Sequence, residues 1–169
     1  MDPATGSTAT ANTSDTARLE TELTYGNSFE GGSYSMWVGG ASGSDDNTNV
    51  DARGLAYGGR ITLGGLQLTA SGFDQEGINA TLANVILGSE TESSGYVTQA
   101  SYSTGPHRFV LSHGETDVKG TSTTTTELDS LAYFYNVTES LKFIAEYDVK
   151  SETSKKDIDQ FAVGVALSW

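Results

Sequence analysis

From residue 160 to the end of the chain, large apolar residues alternate with small or polar ones without interruption. Phe161, Val163, Val165, Leu167 and Trp169 occupy one parity, and Gln160, Ala162, Gly164, Ala166 and Ser168 the other. Successive side chains of a strand point to opposite faces, so this spacing predicts a strand with one apolar face. The preceding segment repeats it: Leu141, Phe143, Ala145, Tyr147 and Val149 share a face, opposite Lys142, Glu146, Asp148 and Lys150. Continued toward the N-terminus, the pattern predicts strands at 18–26, 32–41, 52–62, 66–74, 94–104, 107–117, 127–136, 141–150 and 157–169. Residues 1–17, rich in Thr, Ser, Ala, Gly and Asn, carry no period and read as a flexible start or loop.

Strands of about 9–11 residues suit a tilted membrane crossing better than the usual ~5–6 of globular sheets. The connections also differ in length. Leu63-Gly64-Gly65, Gly105-Pro106 and Val137–Ser140 read as tight turns, while 42–51, 75–93, 118–126 and 151–157 read as longer polar loops. Short turns on one side and long loops on the other are the asymmetry of outer-membrane barrels. The predicted fold is therefore all-β, an up-and-down antiparallel transmembrane barrel of about 8–9 strands over residues 18–169. A soluble β-sandwich remains an alternative, since a second sheet could bury the same apolar face. Bacterial single-chain barrels have even strand numbers. An odd count implies a piece of a larger barrel, unless one strand is misread and the chain is a complete eight-stranded barrel with a structural or adhesive role.

Mean hydropathy is −0.31, which in a helical protein would argue against a membrane. A barrel wall escapes that argument, because half of each strand faces water. The apolar runs are too short for a transmembrane helix of about 20 residues. A net charge of −13 excludes the basic footprint that nucleic-acid binding needs. The absence of cysteine excludes disulfides and thiolate metal sites. Met1 is followed by Asp2 and Pro3, with neither a basic region nor an apolar core. An exported protein needs a leader, so the expectation is one already removed or an N-terminally shortened chain.

No catalytic template emerges, and no cofactor is implied. His107 and His113 stand six residues apart on one strand and read as structural or exposed. Gly58, Gly59, Gly64 and Gly65 fit turns and close packing better than a phosphate loop. Asp45 with Asp46, or Asp74 with Glu76, could ligate calcium, but solvated loop charges explain them more simply. Parity places Arg60, Arg108 and Lys142 on the inward face beside tight turns, with Glu146 and Asp148 also inward and farther from the turns; Glu20 and Glu22 join them. These are the candidate pore-lining charges, weighed against hydrated polar filler of no selectivity. The acidic surplus predicts mild cation preference unless the loops hold most of it. Tyr25, Tyr57, Tyr102, Tyr133, Tyr135 and Trp169 take the outward parity near the tight-turn ends and fit an aromatic girdle. Ordinary strand propensity of aromatics is the alternative, and the clustering at one end favours the girdle.

Several segments also carry a family likeness. Gly58–Leu68 (GGRITLGGLQL), Tyr96–Tyr102 (YVTQASY), the Gly105-Pro106 turn and Ser112–Glu115 (SHGE) resemble strand–turn–strand units of Gram-negative trimeric porins. Leu131–Tyr147 (LAYFYNVTESLKFIAEY) is similar to their penultimate hairpin, and Phe161–Trp169 to their C-terminal assembly signal. The resemblance spans roughly residues 52–169. It implies the C-terminal portion of a barrel of about 16 strands, located in the outer membrane and passing small solutes. It further implies a homotrimer, contact with the lipid bilayer and lipopolysaccharide, and recognition of Phe161, Val163, Val165, Leu167 and Trp169 by the barrel-assembly machinery. The pore-narrowing loop of such porins lies in their N-terminal half, so no constriction residue is carried over.

Overall fold

The computed structural model describes residues 19–45, 50–78, 91–120 and 122–168. The start at 1–17, Asp46, most of 75–93 and Trp169 lie outside these residues, and with them the parts of the reading that fall there. The described residues form nine strands: β1 (Leu19–Phe29), β2 (Gly32–Asp45), β3 (Val50–Leu63), β4 (Leu66–Glu76), β5 (Glu92–Thr104), β6 (His107–Lys119), β7 (Thr123–Asn136), β8 (Leu141–Glu152) and β9 (Ile158–Leu167). They make one antiparallel sheet in sequence order.

Each predicted strand is present, but most run farther than the apolar alternation does. β7 begins at Thr123 instead of 127, and β2 continues to Asp45 instead of ending at 41. Thr, Ser and Gly at those ends still form ladder hydrogen bonds while offering no hydrophobic period to read. The loop expected at 118–126 thus contracts to Gly120–Ser122, and that at 151–157 to Thr153–Asp157.

The four short connections, Glu30-Gly31, Gly64-Gly65, Gly105-Pro106 and Val137–Ser140, share one rim. Backbone bonds lace them to neighbouring strands: Gly64 N–H donates to the Gly31 carbonyl at 3.1 Å, Ser103 N–H to Gly65 at 2.9 Å, and Asn136 N–H to Pro106 at 2.9 Å. Gly64 and Gly105 take φ of 55° and 54°, a left-handed conformation that glycine adopts without strain. At the opposite rim, Arg53 pairs with Glu76 across β3 and β4, and Lys119 with Glu92 across β6 and β5.

The described residues provide no second sheet, so the β-sandwich alternative fails. Nor do β1 and β9 pair with each other. Eight successive antiparallel steps leave those two strands pointing the same way, whereas even-stranded bacterial barrels close on an antiparallel pair. The complete eight-stranded barrel is therefore not what the sheet forms.

Candidate pore-lining face

Directly opposed residues of an antiparallel ladder share a face, so the register sorts every side chain. One face carries Leu23, Val38, Ile61, Leu68, Leu111, Leu131, Phe143 and Val163 in a broad apolar band. The other carries small and polar residues: Ser33, Ser35, Thr62, Thr69, Gln99, Ser112, Ser130, Ala162 and Gly164 among them. Burial runs opposite to that of a soluble protein. Leu111 is 62% exposed on the apolar face, whereas its neighbour Val110 is 8% exposed on the polar one. Side chains that crowd on one face and splay on the other describe a sheet curved around the polar face. That face is inner and the apolar one outer.

All five candidate charges stand on the inner face. Arg60 opposes Ser35 and Thr69, Arg108 opposes Ser103 and Phe134, and Lys142 opposes Asn136 and Ala166. Each is within a few residues of a short turn. Glu146, between Ala132 and Ala162, and Asp148, between Ser130 and Gln160, are four and six residues farther along β8 than Lys142. With a strand rise of ~3.3 Å and a tilt near 40°, that places them about 10–15 Å higher. Asp148 Oδ1 is covered by its neighbours and accepts no hydrogen bond from the described residues. Glu20 and Glu22 also take inner positions, opposite Ala41 and Gly39.

Inner aromatics escaped the sequence reading. Trp37 opposes Gly58, and Phe73 opposes Gly95. A Cβ on Gly58 would sit 2.2 Å from Trp37 Cζ2, and one on Gly95 would sit 2.8 Å from Phe73 Cε1, so each ring lies across its glycine. Phe134 is the third, with the Arg108 guanidinium 5.8 Å and the Lys142 ammonium 6.0 Å from its ring centre. Only the register reveals these pairings.

The described girdle residues, Tyr25, Tyr57, Tyr102, Tyr133 and Tyr135, take outer positions, but at two levels. Tyr102, Tyr133 and Tyr135 lie within a few residues of the short turns, with Tyr25 slightly farther. Tyr57 does not belong with them: it stands six residues from the end of β3, where it covers Gly72 and aligns with Tyr96 through the register. Tyr147 and Phe161, which oppose each other, also stand six residues from that rim. Barrels carry aromatic girdles at both interfaces. Both histidines are outer residues too. His107 Nδ1 lies 2.7 Å from Tyr133 Oη. His113 bridges Asp129 Oδ1 at 2.8 Å and Tyr96 Oη at 3.1 Å. Glu76 is engaged by Arg53, and the described residues contain no cluster of three or more His, Cys, Asp or Glu suited to a metal.

A family model described as Gram-negative porin matches residues 1–156. Among solved structures, the outer membrane channel DcaP of Acinetobacter baumannii superimposes with a TM-score of 0.65 at 17% identity. That alignment covers 88% of this chain and 49% of the DcaP chain, so this chain spans about half the length of its structural neighbour. No curated protein matches the sequence. The likeness to DcaP is one of fold: a wall of consecutive antiparallel strands.

Proposed function

The chain belongs to the Gram-negative porin family and so to the outer membrane, and from that premise we propose that its nine strands are the C-terminal half of a water-filled channel of about 16 strands. Small hydrophilic solutes and ions diffuse through it passively, without a cofactor or reaction. The observation that carries this reading is the division of the sheet into an exposed apolar outer face and a small, polar inner face. The strands missing from the ring come from the remainder of the barrel, which fills the gap between β9 and β1. Three such barrels associate, lipid and lipopolysaccharide contact the outer band, and the barrel-assembly machinery reads the alternating end of β9.

In this reading Arg60, Arg108 and Lys142 form a basic level near the periplasmic mouth, and Glu146 and Asp148 an acidic level above it. Charges lining a lumen select ions through their field at short range, within a Debye length of about 8 Å. Removing a mouth cation favours cations. Arg108→Ala in the intact barrel is expected to shift the reversal potential under a salt gradient toward greater cation selectivity, with conductance retained. Identical potentials for the two proteins would remove Arg108 from the permeation path. A protein that inserts but never conducts would overturn the channel itself.

A further inference from the structure

We propose that Arg108, Phe134 and Lys142 form a subsite for small aromatic carboxylates at the short-turn end of the inner face; this rests on that face being the lumen. Four of the five described cations at the opposite rim, Arg53, Lys119, Lys150 and Lys155, have a carboxylate within 4.0 Å. Arg108 and Lys142 have none among the described residues, in a chain with a net charge of −13. Both rest instead on one ring, which holds their charges within about 12 Å of each other. Among the described residues Arg108 makes one long hydrogen bond, Nη2 to Ser101 Oγ at 3.5 Å. The rest of its planar fork stays free for two parallel bonds to a carboxylate.

The floor beside this pair is apolar. Phe134 opposes Ile144, which opposes Gly164, and Lys142 opposes Ala166. Among the described residues, a Cβ on Gly164 would meet nothing within 4 Å. A flat ring fits over Ile144 and Gly164, beside Phe134, while its carboxylate reaches Arg108 and Lys142 supplies the second charge. Ring and carboxylate are recognised by different groups, so neither suffices alone. Such a site in a channel must bind weakly, since a solute that is held tightly does not leave.

The test is ligand-observed NMR on the detergent-solubilised protein at low salt, with benzoate, acetate and benzyl alcohol as probes. Benzoate is expected to saturate in the millimolar range, acetate to bind at least about fivefold more weakly, and benzyl alcohol not to saturate. Arg108→Gln and Lys142→Gln should each weaken benzoate about fivefold or more, and Lys156→Gln, in the opposite loop, should leave it unchanged. If Arg108→Gln fails to fold, Arg108→Lys keeps the charge, loses the fork, and should bind with intermediate affinity. Benzoate binding that ignores Arg108 and Lys142, or acetate binding as tight as benzoate, overturns the subsite. Because the readout needs no conduction, a conducting channel without benzoate binding removes only the subsite. Binding without conduction removes only the channel.

Discussion

Val163→Arg lowers the stability of the barrel in a lipid bilayer by about 2–4 kcal/mol, the cost of a cation near the hydrocarbon midplane. Val163 is 73% exposed on the outer face of β9, opposite Ala145, and among the described residues no protein group shelters a charge placed there. It lies four residues from the end of β9 at Leu167, or about 10 Å above the short-turn rim of a band ~25 Å tall. Ala162→Arg is the control, because its side chain enters the polar inner face and stays hydrated. Urea unfolding of the intact barrel in liposomes should separate the two variants by most of that penalty. Equal costs would mean that the two faces of β9 meet the same solvent.

The second large effect comes from neighbouring glycines with opposite surroundings. Gly58→Ala is expected to cost about 1–3 kcal/mol, as overpacking does elsewhere, and Gly59→Ala almost nothing. A Cβ at position 58 meets the Trp37 ring at 2.2 and 2.5 Å and the Ala70 carbonyl at 2.9 Å. Either the indole leaves its place or β3 shifts against β4. At position 59 the nearest atoms are the Ser35 carbonyl at 3.6 Å and Met36 Cγ at 3.7 Å, ordinary contacts, and the new methyl joins the apolar face. Strand propensity adds a small gain there. Unfolding midpoints in the same lipid check the difference. Similar losses at both sites would show that backbone freedom, not the Trp37 contact, accounts for these glycines.

The sequence disclosed most where one face is apolar and the other is not. The alternation of Phe161, Val163, Val165 and Leu167 sets parity on β9, and each hairpin carries that parity to the next strand. This is why the shared polar face of Arg60, Arg108 and Lys142 was legible. Strand ends were not, because Thr123–Thr126 continue the ladder with polar residues on both faces. Parity alone does not give distance from the rim. Tyr57 shares its parity with Tyr102 but stands six residues from the end of β3, a distance that the turn at Leu63-Gly64-Gly65 already implied. The cover of Gly58 by Trp37 and of Gly95 by Phe73 depends on cross-strand register, which no single strand's pattern contains. The same holds for His113, whose partners Tyr96 and Asp129 lie on the two adjacent strands.

The natural chain contains no cysteine, so single cysteines introduced one at a time along β9, from residue 160 to 167, report on a silent background. The decisive measurement is the labelling rate of each, in the intact barrel in lipid vesicles, with a membrane-impermeant thiol reagent present on both sides. A wall between lipid and water predicts a period of two: fast labelling at 160, 162, 164 and 166, and protection at 161, 163, 165 and 167. Uniform labelling, or protection at the even positions instead, would contradict the assignment of lipid to the apolar face and solvent to the polar one.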